Sequence, residues 1–365
     1  MSVKVLLAED SAFQRKIIIE MLQSHKDIEV VAFARNGKET INKIGKYNPD
    51  VLILDLLMPE MDGLEAFEFL SEHYPVPTIV FSSLDPTSLD YAIQALLLGA
   101  VDYIQKPKGK WDEELPKYKE ILIEKVLIAS KINKNYQMRR KSFISLIEKE
   151  GKFSTESILS LKPPEEPTRI KKLEKIPPKN KIIVIGASVG GPKTLKVVLE
   201  NIPKNFPIPI LVVQHMNMDF MAQFADSLDN ICQLPVKIPK DGEIIKGRTI
   251  YIAPGGKHME VSLTGNKPSI HTFIGAPVNF CIPSVDVLFL SAAQIYRNNV
   301  LGIILTGMGA DGVEGLIKIR ELGGITISES KETCILYGMP KIAAEREAAD
   351  FILPNYQVPD FIKNY

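Results

Sequence analysis

Gly186-Ala187-Ser188-Val189-Gly190-Gly191 sets a serine among glycines at the end of the apolar run Ile182–Ile185. A strand entering a sharp G-x-S-x-G turn lifts a hydroxyl clear of a sheet and aims backbone N–H groups at whatever the hydroxyl attacks. Such a serine needs a base to take its proton and an acid to orient that base. His215 ends the apolar run Ile210–Gln214, and Asp311 lies in the glycine-rich stretch Leu305–Gly312. Each sits at the end of an expected parallel strand. Ser188 is then the nucleophile, His215 the general base and acid, and Asp311 the carboxylate that sets the tautomer. N–H groups of the 188–190 turn, Val189 included, and of Met308 are candidates for an oxyanion hole. Each piece has a plainer reading. The turn is a phosphate loop, except that Ser188 stands where a G-x-G-x-x-G needs glycine and no Lys-Ser/Thr pair follows. His215 is a satisfied strand-end imidazole, and Asp311 is a helix cap.

A second constellation is acidic. Glu9 and Asp10 follow the first expected strand and Asp55 follows the third. In a doubly wound sheet those strands are neighbours, so three carboxylates converge and repel unless a cation neutralises them. Mg2+ fits, since it takes oxygen ligands and keeps waters. Ser82 and Lys106 follow the fourth and fifth strands, adding a hydroxyl and an ammonium. This set suits phosphoryl transfer to Asp55, with the metal and lysine stabilising the transferring group. The plainer reading makes each acid a helix cap, as Asp10 before Ser11 and Asp62 before Gly63 would be.

The elements that must carry these residues form two α/β runs. Strands are expected at Val3–Ala8, Ile28–Ala34, Val51–Leu54, Thr78–Phe81 and Asp102–Ile104, alternating with helices near 12–24, 37–46, 63–73, 87–98 and 112–130. Strict alternation predicts a parallel, doubly wound sheet. Residues 131–178 are rich in Lys, Glu and Pro and read as a partly helical, charged linker. From 179 to 365 the alternation resumes. Strands are expected at Ile182–Ile185, Ile208–Val213, Thr249–Ala253, Leu301–Leu305 and Ile325–Ile327, with a hairpin over 256–272 turning at Thr264-Gly265-Asn266. A mainly parallel, doubly wound sheet is predicted here too.

The bulk numbers exclude several classes. The 365 residues suit about two domains. A formal net charge of zero leaves no electrostatic footprint for nucleic acid. Cys232, Cys281 and Cys334 form no C-x-x-C pair and no even disulfide framework, which points to a reducing cytoplasm. The amino-terminal apolar run is short and broken by acids, a strand rather than a signal peptide. No apolar stretch of ~18 residues predicts a bilayer span.

The first ~125 residues, within an expected receiver domain of residues 1–130, resemble response-regulator receiver domains through Glu9-Asp10, Asp55 with Met58-Pro59 and Asp62-Gly63, Ser82, and Lys106-Pro107. The resemblance implies a flavodoxin-like fold and phosphorylation of Asp55 by a chemotaxis histidine kinase. Ser82, Tyr103 and Lys106 would read the phosphate, and Mg2+ would be held by Glu9, Asp10, Asp55 and the Leu57 carbonyl. Glu9 stands where the family more often has aspartate. The carboxyl-terminal run resembles the CheB family of chemotaxis protein-glutamate methylesterases. The resemblance lies in the Ser188 turn, Val213-Gln214-His215-Met216, Ile252-Ala253-Pro254-Gly255-Gly256 with His258, Pro283-Ser284-Val285-Asp286 and Leu305–Gly312. The Ser, His, Asp order also differs from the Ser, Asp, His order of α/β-hydrolases. Val189 stands where the family usually has threonine.

What this resemblance implies is hydrolysis of glutamate methyl esters on chemoreceptors, with deamidation of certain glutamines and no metal at the esterase site. If His215 is unperturbed, activity should fall as the imidazole protonates near ~6.5. An unphosphorylated receiver is expected to restrain the hydrolase, and phosphorylated Asp55 to release it. Competing expectations are a catalytically silent scaffold, a small-ester hydrolase and a transcription factor. The last needs a helix-turn-helix or a basic face, and the sequence presents neither.

Overall fold

The computed structural model describes residues 2–83, 85–107, 118–132 and 181–365. The chain divides into two compact units, Met1–Phe81 with Pro107–Glu174, and Ser82–Lys106 with Lys175–Tyr365. The expected linker, residues 131–178, lies outside the described residues from 133 onward.

Near the amino terminus β1 (Val3–Ala8), β2 (Ile28–Ala34), β3 (Val51–Asp55), β4 (Thr78–Ser82) and β5 (Asp102–Gln105) alternate with α1 (Ala12–Gln23), α2 (Gly37–Tyr47), α3 (Gly63–His73) and α4 (Pro86–Leu98). Helix α5 is described over 118–132. The sheet order is β2-β1-β3-β4-β5, and β1 pairs parallel with both β2 and β3. Ser11, Asn36, Asp62 and Asp85 cap α1 to α4, each accepting an N–H that lacks an intrahelical partner. The capping reading therefore holds for Asp62, which forms a reciprocal box with Glu65. It fails for Asp10, because Ser11 takes that role.

The larger sheet is built from β6 (Ile182–Ala187), β7 (Ile210–Gln214), β8 (Val236–Lys237), β10 (Ile250–Ile252), β13 (Val300–Ile304), β14 (Ile325–Glu329) and β15 (Phe351–Leu353). Its order is β15-β14-β13-β6-β7-β10-β8, and every ladder is parallel. Central β6 is apolar and buried along its length, as a strand covered by helices on both faces must be. Each such side chain contributes about 1.5–3 kcal/mol on burial, so the strand that carries Ser188 is anchored by its core.

Helices α6 (Gly191–Leu199), α7 (Met218–Ile231), α8 (Val285–Tyr296), α9 (Val313–Glu321), α10 (Met339–Glu345) and α11 (Val358–Asn364) complete this unit. The chain leaves β6 toward β7 on one side and later returns to β13 on the other. That reversal opens a crevice at the carboxyl ends of the strands, the usual place for a ligand in such sheets. The expected hairpin is β11 (His258–Thr264) with β12 (Lys267–Phe273), turning at Gly265-Asn266. The short strand β9 (Glu243–Ile244) adds to β12.

Candidate active site

The turn after β6 sets Ser188. Gly190 is left-handed, with φ 75°, a conformation that a side chain penalises. Pro192 then opens α6, where its missing N–H costs nothing. Ala187 pairs with Gln214 across β6 and β7, so Ser188 and His215 leave neighbouring strands at the same level. His215 N–H donates to Ala187 O (2.9 Å), and Ser188 N–H donates to Thr306 O (3.0 Å). Gly307 must lack a side chain, because a Cβ there would lie 2.6 Å from Ser188 Cβ.

Five donors converge on the buried Asp311 carboxylate. His215 Nε2 (2.8 Å) and Val285 N–H (2.7 Å) reach Oδ2. Ser284 Oγ (2.8 Å), Asn279 Nδ2 (2.8 Å) and Asp286 N–H (3.2 Å) reach Oδ1. The two backbone donors, Val285 and Asp286 N–H, belong with the amino terminus of α8, whose dipole favours an anion. Asp311 does not cap α9, since Gly312 occupies that position without a side-chain bond. Burial pushes the Asp311 carboxyl up, but the bonds from His215 and Asn279 outweigh it and hold it below its ordinary value.

The partner imidazole moves the other way. Burial alone lowers His215, yet Asp311, and then Cys281, overcome this and raise it to about 9. The value of ~6.5 is expected only of an unperturbed imidazole, and the Asp311 and Cys281 contacts move it upward. An ionised Asp311 accepts a hydrogen bond from Nε2–H, which leaves Nδ1 as the basic atom. That atom faces Cys281 Sγ at 3.6 Å. Ser188 Oγ makes no hydrogen bond to the imidazole among the described residues; such bonds commonly tighten only with substrate in place. The same His215, Cys281 and Asp311 cluster carries metal-type donors. With Nε2 and Oδ2 engaged on each other, two donors remain, short of the four a structural zinc takes. The Val189 and Met308 N–H groups donate to no backbone acceptor among the described residues outside helices and strands, as candidates for an oxyanion hole should.

Several residues escaped the sequence reading. Asn279 Nδ2 bridges Asp311 and Asp286 (2.7 Å to the latter). Burial, together with the nearby Asp311 charge, raises the Asp286 carboxyl. Buried His258 donates from Nε2 to Ala276 O (3.0 Å) and accepts Ser284 N–H on Nδ1 (3.2 Å), pinning both ends of this segment. Behind the serine, Thr306 N–H donates to buried Glu329 Oε2 (2.7 Å), and Thr306 Oγ1 donates to Val189 O (3.0 Å). Burial raises the Glu329 carboxyl. Of these, only Ser284, Asp286, His258 and Thr306 lay in stretches that had signalled anything, and there without a role.

In the amino-terminal unit, Glu9, Asp10 and Asp55 bring one carboxylate oxygen each to within 4.8 Å of the others. The ladder explains this, since Ala8 pairs with Leu54. Glu9 and Asp55 are buried and Asp10 is exposed. Three hard oxygen donors on one rim fit a divalent cation such as Mg2+. Leu57 N–H donates to Asp55 Oδ1 (3.3 Å).

In the second unit, buried Ser82 donates from Oγ to Ser88 O (3.0 Å), and Lys106 N–H donates to Ser82 O (2.7 Å). Tyr103, in the same unit, accepts Asn217 N–H on its hydroxyl (2.9 Å). Its ring lies 3.8 Å from that of Phe220. Burial raises the phenol.

Comparison with known proteins agrees with both halves. Residues 5–114 match the response regulator receiver domain model and residues 183–362 match the CheB methylesterase model. A protein-glutamate methylesterase/protein-glutamine glutaminase of Halalkalibacterium halodurans is 40% identical, with 95% of this chain and 94% of that protein aligned. The protein of the same name from Pyrococcus horikoshii is 34% identical, with 99% and 92% aligned. The crystal structure of the Thermotoga maritima CheB methylesterase catalytic domain superposes with a TM-score of 0.50 at 42% identity, over 50% of this chain and 97% of that one. The chain therefore belongs to the CheB methylesterase family, with a response regulator receiver domain ahead of the methylesterase domain.

Proposed function

We propose that this chain hydrolyses glutamate methyl esters on chemoreceptors, and deamidates certain of their glutamines, under control of phosphorylation at Asp55. In this reading residues 1–130 are the receiver, 131–178 the linker and 179–365 the catalytic domain. The observation that carries it is the 2.8 Å bond from His215 Nε2 to Asp311, on a histidine set level with Ser188 by the β6–β7 register. Ser188 Oγ attacks the ester carbonyl while Nδ1 takes its proton. The oxyanion accepts from the Val189 and Met308 N–H groups. Nδ1 returns the proton to the departing methoxide, which leaves as methanol. Water, deprotonated by the same nitrogen, then attacks the acyl-enzyme; the acyl–Oγ bond breaks, Nδ1 returns the proton to Ser188 Oγ, and the glutamate side-chain acid is freed. A glutamine follows the same course with ammonia as the leaving group.

Asp55 is the phosphoacceptor. Mg2+ held by Glu9, Asp10, Asp55 and the Leu57 carbonyl would neutralise charge on the transferring phosphoryl group. Ser82, Lys106 and Tyr103 respond to the phosphate. The bond from Asn217 to Tyr103 supports coupling to the hydrolase, since Asn217 lies two positions beyond His215. The kinase of a chemotaxis system is the phosphodonor and the cytoplasm the compartment. No helix among the described residues is long and apolar enough to cross a membrane.

Methanol release from methylated receptor membranes is the test. Ser188→Ala should abolish it. Retention of activity in Ser188→Ala would overturn the assignment. A phosphodonor should accelerate release in wild type and not in Asp55→Asn.

A further inference from the structure

Val278 and Cys281 exchange both backbone hydrogen bonds, 3.2 Å from Val278 N–H and 2.9 Å from Cys281 N–H. They close a two-residue hairpin turn whose central residues, Asn279 and Phe280, have φ of 52° and 63°. Positive φ at both positions is the signature of a type I′ turn, which favours Asn-Gly. Asn279 satisfies the first preference and spends its side chain on Asp311 and Asp286. Phe280 violates the second. A bulky ring stands where the backbone asks for glycine, and it packs against nothing, being fully exposed. A residue that strains its own turn and buries no area earns its place through something outside the chain.

The position limits what that is. On one side of Phe280 is the residue that holds Asp311; on the other, Cys281 approaches His215 Nδ1 at 3.6 Å. The turn therefore borders the two residues proposed to act with Ser188. Exposed Ile274 and Val278 extend the apolar character along the same short stretch.

We infer that Phe280 is a specificity-determining residue that packs on an apolar side chain flanking the esterified glutamate of the protein substrate. The inference rests on the proposed hydrolysis of protein-borne esters. It separates protein substrate from small ester, because a small ester fills the Ser188 site without reaching the ring.

The experiment compares Phe280→Gly with wild type, as full-length chain with Mg2+ and a small phosphodonor. The substrates are methylated receptor membranes and the γ-methyl ester of N-acetylglutamate. With Phe280→Gly, kcat/KM on the membranes should fall at least about tenfold, the loss expected of an aromatic anchor, and through KM rather than kcat. Small-ester hydrolysis should be unchanged. The unfolding midpoint should rise by about 2–4 °C as the left-handed position is relieved. Phe280→Trp should restore the membrane activity. A purely structural role cannot raise stability and weaken recognition together. Unchanged KM on membranes with normal small-ester hydrolysis would overturn this inference alone, and so would an equal loss on both substrates. Wild-type chain inactive on both esters would overturn the parent reading and this one with it.

Discussion

With His215 as the proposed general base, its imidazole sets how hydrolysis should depend on pH. Its pKa is raised from 6.5 to about 9 by Asp311 and Cys281 against the opposing effect of burial. A general base works only when neutral. At pH 7 a base with pKa near 9 is neutral in about 1% of molecules, against about three quarters for an unshifted imidazole. The shift corresponds to about 3 kcal/mol favouring the protonated form. The expected kcat/KM therefore climbs about tenfold per pH unit from 6 to 8 and levels near 9.

Stability runs in the opposite direction. The folded pKa lies above the unfolded one, so this stabilisation is fully present below about 6.5 and is lost as pH rises through about 9. Removing the thiol with Cys281→Ala should move the inflection down and raise the rate at pH 7. The assay is initial-rate hydrolysis of the small glutamate ester across pH 5.5 to 10, paired with urea unfolding at the same values. A wild-type inflection at or below about 6.5 would refute the imidazole–carboxylate coupling. An inflection unmoved by Cys281→Ala would remove the thiol from the account.

Further outcomes can be checked directly. Gly307→Ala puts a methyl group where Ser188 Cβ already lies 2.6 Å away; it should cost about 1–3 kcal/mol of stability and most of the esterase rate, read by thermal melts and methanol release. Glu329→Ala strands the Thr306 N–H in a buried site, and should destabilise by about 1–3 kcal/mol with kcat falling and KM holding. Chelating Mg2+ should slow phosphorylation of Asp55, measured with a labelled phosphodonor, while leaving basal small-ester hydrolysis untouched. Asn279→Ala removes one bond from each of two adjacent carboxylates and should lower kcat at constant pH.

Where a chain segment was long and strongly patterned, its structure was legible. The five amino-terminal strands and β6, β7, β13 and β14 fall within about two residues of their expected positions. The hairpin turns where Gly265-Asn266 said it would. Strands β8 and β9 span two residues each, too few to carry a period, and only tertiary pairing defines them. Within the candidate site, Ser188, His215 and Asp311 were visible because glycine-rich turns and strand ends mark them. Their electrostatics were not. The groups that hold Asp311 come from Asn279, Ser284 and Val285, 26 to 32 positions away. No local pattern announces such bonds, and the His215 shift follows from them. Capping was likewise a matter of one position: Ser11 rather than Asp10 closes α1.

The segment between β10 and α8 offers Phe280 outward and delivers Asn279 and Ser284 inward to Asp311. In the proposed reading, recognition and proton chemistry share one stretch of backbone. A chimera that borrows this segment from a relative would retune substrate choice and catalytic acidity in the same stroke. Evolutionary drift in one property is tethered to the other, so new targets would arise more readily through side chains at the tip of the turn than through exchange of the whole insertion.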